Sequence, residues 1–235
     1  MDQLKFTLGP YEFFASIIGG SPLFVTLLLL FNPVASPQDL FLIFRDNLSL
    51  YTALMAAFIS YILGGSIQGI SWRYFLALCQ FFKRDYGYFG DMIPQKHGQL
   101  PHDASAIAEL DLEFEDRLVL LLREKTGIPK KLHWLDARLT SYLKENGSQA
   151  PITAELHLVN HIMYRNLSLG FLILGFTFIF NILRVQSFVL EQSILTLLLL
   201  GLSYTMFFRS LSFKKWHNRE LLLGFYFSST SHQHQ

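Results

Sequence analysis

Charge is scarce in this chain of 235 residues: 16% are charged and 51% hydrophobic, where a soluble domain carries about 25% charged residues. That shortage excludes an ordinary water-soluble fold. Cys79 is the only cysteine, so an intramolecular disulfide and a cysteine-based zinc cluster are both excluded, in keeping with a reducing compartment. No stretch alternates apolar and polar residues with period two, which argues against a membrane β-barrel. Nucleophile-elbow, P-loop, GxGxxG and HExxH patterns are missing as well. The chain therefore offers no catalytic signature and no cofactor motif, and it reads as a non-enzyme.

What the sequence does have is long apolar runs. A bilayer core about 30 Å thick needs roughly 20 apolar residues at 1.5 Å per helical residue. Four segments reach or approach that length, at about 13–31, 50–72, 167–183 and 188–208, and none holds Lys, Arg, Asp or Glu within its main run except Glu191 near the start of the fourth. Backbone groups cannot go unpaired in hydrocarbon, so each run has to be a helix. The expected fold is an all-α integral membrane protein with four transmembrane helices and a cytoplasmic helical insert between the second and third. Four regions follow: a first transmembrane hairpin over 1–72, a cytoplasmic helical domain over 73–165, a second hairpin over 166–208, and a basic, aromatic cytoplasmic tail over 209–235.

The positive charges set the orientation. With the N-terminus inside, the exterior loops hold only Arg45 and Arg184, and the other 17 of 19 Lys and Arg residues lie on the cytoplasmic side, as the positive-inside rule requires. Both termini are expected in the cytoplasm, and the protein in the inner (plasma) membrane as a multi-pass chain. The first run is expected to be retained, since Val34-Ala35-Ser36 is not a small-x-small cleavage site.

Outside the spans, Leu40 to Phe44 is too short to cross and too apolar to float free; it reads as a short helix along the outer interface or a plain connector. Apolar character continues past Trp72 to Phe82, so a helix from Leu50 to Phe82 would either project into the cytoplasm or bend near Gly64-Gly65 or Gly69. Two amphipathic helices are predicted, one over about 103–125 stopping at Gly127, the other beginning at Pro129 and ending at Asn146-Gly147. A third starts near Pro151 and runs into the third span through Arg165. From Arg73 to Arg165 there are 12 basic and 12 acidic residues, a balance that argues against broad nucleic-acid binding. The segment from Arg209 to Phe227 mixes Lys214, Lys215 and Arg219 with apolar residues; it either continues the fourth helix inward or lies on the inner leaflet.

Three constellations stand out. Ala53, Ala57, Ser60, Gly64, Gln68 and Ser71 share one stripe of the second span, suited to close helix packing or to a weakly polar pore lining. Glu155 precedes His157, His161 and Arg165, which repeat every four residues and stack on one helical face. The histidines supply at most two imidazoles and Arg165 would repel a cation, so no metal site is assigned; an interface coupling the cytoplasmic domain to the third span, or a pH-sensitive contact, is expected. Lys83, Arg84, Lys130, Lys131, His133 and Arg138 could meet a phosphate-bearing ligand or form a solvated face. Proton pumps and ion-coupled transporters need an ionisable residue at depth. A passive pore does not.

The order of two spans, an insert of about 90 residues, two further spans and a basic aromatic tail resembles the small four-span effectors of bacterial antiphage defence systems. The matching residues are Tyr164-Arg165 leading into a third span with Gly170 and Gly175, and the tail from Arg209 to Glu220. That resemblance implies a homo-oligomer, such as a tetramer, whose pore stays closed until a sensor enzyme of nucleotidyltransferase type, or a nucleotide-type ligand, acts on the cytoplasmic domain. Function is accordingly expected to be an ion channel or pore that disrupts the inner membrane in antiviral defence. The alternative is a membrane scaffold or regulatory subunit recruiting a cytoplasmic partner.

Overall fold

The computed structural model describes residues 10–34, 36–47, 49–85, 93, 96, 98, 113–128, 134–185 and 190–231. Among them every regular element longer than one turn is an α-helix: α1 (Pro10–Phe31), α2 (Pro37–Asp46), α3 (Leu50–Ser66), α4 (Gln68–Phe81), α5 (Phe114–Lys125), α6 (Leu135–Glu145), α7 (Ala150–Val185) and α8 (Leu190–Ser231). Three stretches are long and apolar enough to cross a membrane, Glu12–Phe31, Ala150–Val185 and Leu190–Thr230, and a fourth counts if α2 and α3 form one bent span.

Local chemistry explains the boundaries. α1 ends at Asn32-Pro33, and the short helix α2 replaces the alternative of a plain connector. Ser36 opens it with a capping box: Asp39 N–H donates to Ser36 Oγ (3.3 Å), and Ser36 N–H to Asp39 Oδ2 (2.8 Å), satisfying two donors that the helix start would leave open. Ser49 and Thr52 repeat the device for α3. At the end of α6, Gly147 takes φ +68°; its N–H donates to Lys144 O (3.2 Å) and that of Ser148 to Leu143 O (3.0 Å). This is a Schellman motif, which favours glycine.

Two boundaries differ from expectation. The run 50–72 is not one uninterrupted helix: it breaks at Ile67, between the glycines where a bend was expected, and α3 alone has 17 residues, about 25 Å of length. The insert's first helix begins at Phe114, because Glu113 before it is extended (φ −64°, ψ 163°), so no single helix covers 103–125; the start of the second, Pro129 to His133, lies outside the described residues. Of the two readings of the tail, the structure has it continuing the fourth helix, since α8 runs on to Ser231.

The chain divides into two compact units, Met1–Phe82 with Val159–Leu211 and Lys83–Leu158 with Ser212–Gln235. Their make-up differs. In the first, apolar clusters around Leu29 and Phe178 and around Phe75 and Phe207 are joined by buried Ser60, Ser71, His161, Arg165, Asn166, Ser168, Asn181, Gln192 and Ser203, while large apolar side chains such as Phe58, Ile62, Phe176, Leu183, Leu197 and Leu198 are exposed. Polar groups inside and an apolar exterior suit a hydrocarbon solvent. The second has the arrangement usual in water: Leu118, Val119, Leu122, Leu135, Leu139, Leu143, Leu221, Leu222 and Phe225 form its core.

Within the first unit α1 and α3 meet backbone to backbone. A Cβ on Gly20 would collide with Ser60 O and lie 2.6 Å from Gly64 N, and one on Gly64 would collide with Ser16 O. Small residues permit this approach, and close packing drives helix association where the solvent is itself apolar. α7 and α8 pair with a seven-residue rhythm. Ser168 Oγ donates to Ser203 O (2.8 Å) and Ser203 Oγ to Ser168 O (2.7 Å), and His161 meets Ser210 seven residues away on each helix. A seven-residue step keeps one face of each helix on the seam.

Candidate functional site

The most polar place in the first unit lies where α4 meets α7 and α8. Arg165, 7% exposed, donates from Nε to Ser71 Oγ (3.1 Å) and from Nη2 to Gln68 O (3.3 Å). Its guanidinium lies over the Trp72 ring, 5.3 Å from the centroid, and Nη1 is 3.5 Å from His161 Nε2. Arginine can only donate, so an acceptor role at Nε2 corresponds to the tautomer with its proton on Nδ1. From there it points to Ser210, whose Oγ is 2.8 Å and carbonyl oxygen 3.1 Å away. Asn166 completes the cluster, accepting from Ser71 Oγ (2.6 Å) and donating to Gly64 O (3.1 Å). Tyr74 adds its hydroxyl to the Ser168–Ser203 pair at 3.4 and 3.3 Å.

Two further polar sites accompany it. In the first unit Asn181 binds the segment after α1 twice, donating to Val34 O (2.7 Å) and accepting from Val34 N–H (3.2 Å), while Gln192 donates to the same oxygen (3.3 Å). In the second unit Asp136, in the first turn of α6, holds Lys214 Nζ at 3.1 Å and His217 Nε2 at 3.6 Å on one carboxylate oxygen. His217 Nδ1 faces Ala154 O at 2.8 Å. Burial pushes the Asp136 carboxyl upward, but the His217 contact and the Lys214 ammonium outweigh it and hold it below its ordinary 3.8. Its second oxygen, Oδ1, is buried without a hydrogen-bond partner among the described residues. Lys96 lies 3.0 Å from Asp116 and 3.5 Å from Glu113; the Asp116 hydrogen bond, chiefly, raises its pKa.

The structure brings some of the residues expected from sequence together and separates others. Of the stripe, Ser60 and Gly64 face α1, Ser71 and the Gln68 carbonyl belong to the Arg165 cluster, Ala57 is half-buried, and Ala53 is exposed. Ala53 also lines an apolar groove of about 420 Å³ between α1, α2 and α3. His161 and Arg165 face α4 and α8 inside the first unit, so Arg165 is a buried cation just before the third apolar run. Glu155 is exposed, and His157 packs against Phe213 and Trp216, with no hydrogen-bond partner for its Nδ1 among the described residues. Lys83 and Arg84 are exposed, Lys83 at φ +50° just beyond α4. Arg138 caps the end of α5, donating to Thr126 O (2.9 Å) and Gly127 O (3.3 Å). Lys130, Lys131 and His133 lie outside the described residues. Among those described, no group of three or more His, Cys, Asp and Glu could hold a metal ion.

Sequence reasoning missed Asn166, Asn181 and the Asp136–Lys214–His217 cluster. The last had a usable signal: Lys214 and His217 are three apart and share a helix face.

No protein-family model, curated protein or solved structure matches this chain. Its long apolar helices and the polar interior of the first unit are those of a multi-pass membrane protein.

Proposed function

We propose that the chain is a membrane pore or channel effector, built as a homo-oligomer and gated through its second, helical unit, with membrane disruption in antiphage defence as its biological role. One observation supports this best: α7 and α8 each contribute residues to both units. A ligand or partner that biases the second unit therefore acts on the same helices that carry the interior polar cluster. The insert would stand on the cytoplasmic side of the inner membrane, where a sensor enzyme or a nucleotide-type ligand would reach it.

The test is ion flux. Purified protein in dye-loaded liposomes, and cells producing it, should show trigger-dependent loss of membrane potential, and the detergent-corrected mass should be that of a closed ring. A monomer that is electrically silent under every trigger overturns the proposal.

A second reading, a membrane scaffold that recruits a partner through the helical unit, is favoured by the burial of Ser60 and Gly64 against α1. Those positions are occupied by packing and are not open to water. Under this reading the helical unit would capture a partner and the liposomes would stay sealed.

A further inference from the structure

α3 and α4 lie end to end, yet the helix is interrupted at Ile67. Sharp breaks have identifiable causes, most often proline, but no proline stands between Leu50 and Phe82. The interruption falls inside Gly64-Gly65-Ser66-Ile67-Gln68-Gly69. It is slight, because Ile67 keeps helical torsions (φ −80°, ψ −10°), its N–H still reaches Leu63 O (3.0 Å), and its carbonyl accepts from Ser71 N–H (2.8 Å). No side chain caps the start of α4.

The adjacent residues Arg165 and Asn166 of α7 straddle this joint. Asn166 Nδ2 donates to Gly64 O, before the break (3.1 Å), and Arg165 Nη2 to Gln68 O, after it (3.3 Å). Both also meet Ser71 Oγ, at 2.6 Å from Asn166 Oδ1 and 3.1 Å from Arg165 Nε. A guanidinium that meets no carboxylate among the described residues, nearly sealed from solvent, is a costly residue to keep in a membrane bundle. Here it bridges two half-helices. The half before the joint is fastened, since Gly64 lies against the backbone of α1; added Cβ atoms at Gly65 and Gly69 would meet nothing within 4 Å. Beyond the joint, α4 is held by other partners, with Phe75 and Cys79 packed against Phe207 and Leu211, so the two half-helices are fastened to different neighbours and meet only at the joint.

We infer that Ile67 is a hinge braced by an Arg165–Asn166 latch, and that opening the latch lets α4, together with the α8 face it packs on, change its angle to α3. The hinge stands whether the protein conducts or recruits, so its test needs no activity.

Full-length protein in nanodiscs, carrying Cys79→Ala, takes spin labels at Ile62→Cys on α3 and Ala77→Cys on α4, two exposed positions. A control pair, Phe14→Cys and Phe58→Cys, reads α1 against α3. The parent should give one narrow distance distribution. Arg165→Ala and Asn166→Ala should each add a second population, rising about tenfold from a minor state of a few per cent or less, with the control pair unmoved. Arg165→Lys should behave as Arg165→Ala, because an ammonium cannot span both partners. Adding Gly65→Ala and Gly69→Ala should narrow the distribution again. Identical distributions in the parent and both alanine variants overturn the hinge. Should the variants fail to fold, hydrogen exchange on the parent decides: the amides from Ser66 to Ile70 should exchange about tenfold faster than those from Phe58 to Leu63, and equal protection overturns the inference.

Discussion

Gly20→Ala should be among the most damaging single-methyl changes in this protein. The new Cβ would run into Ser60 O and Gly64 N, and backbone cannot turn aside as a flexible side chain does. Overpacking costs about 1–3 kcal/mol, and occasionally more; a clash with backbone belongs at the upper end, about 3 kcal/mol. The contact is also the kind that holds apolar helices together in lipid. The yield of monodisperse protein should fall sharply and the thermal midpoint drop. Gly201→Ala supplies the contrast, because nothing lies within 4 Å of that Cβ; the helix interior should gain up to about 1 kcal/mol from the lost backbone freedom. Equal midpoints for Gly20→Ala and the parent would mean that α1 and α3 do not touch where the structure joins them.

Asp136→Ala should be the second large loss, and it reads the other unit. The substitution strands Lys214 and His217, both buried, with no carboxylate between them. Breaking a fully buried pair costs about 3–5 kcal/mol. The Asp136 side chain is 30% exposed, so solvent screening lowers the expectation to about 2 kcal/mol. For a unit of this size that corresponds to a fall of about 10 °C in the midpoint. Adding Lys214→Met should recover part of it, since replacing both members of a buried pair with apolar groups is often nearly neutral. The acid limb follows from the depressed carboxyl. Its contribution is complete above the ordinary value of 3.8 and is lost as the pH falls through the lowered folded value. Asp136→Asn should flatten stability in that window; an unchanged acid limb would show that this carboxylate is not the group titrating.

How much of this was legible in the sequence depends on whether the cause is local. The ends of α5 and α6 were readable from Gly127 and Gly147 because a helix C-terminus needs a left-handed residue within a position or two. Pro151 marked the start of α7 for a different local reason: its fixed φ suits a first helical turn, where its missing N–H costs nothing. The apolar runs declared themselves by length. The Arg165 cluster did not. Periodicity placed His161 and Arg165 on one face of α7, but their partners are Ser71, a backbone carbonyl of α4, and Ser210, two of them more than 90 residues away in sequence. No local pattern states which helix will lie opposite. Asp136 was equally hidden, since an acidic residue in a first turn is common for the helix dipole alone. Lys214 looked like one of several interfacial cations, whereas the structure buries it and leaves Lys215 and Arg219 exposed.

The seven-residue pairing of α7 and α8 restricts how these helices can change length. One residue inserted between Ser203 and Ser210 turns everything beyond it by about 100°, so one of the two pairs must come undone whichever end holds. Seven residues return nearly to the starting angle but add about 10.5 Å of length, so both pairs survive only when α7 gains seven residues between His161 and Ser168 as well. Between the paired positions the two helices can lengthen only together and in sevens, and variants that differ otherwise should be selected against even where every inserted residue is apolar and helix-forming.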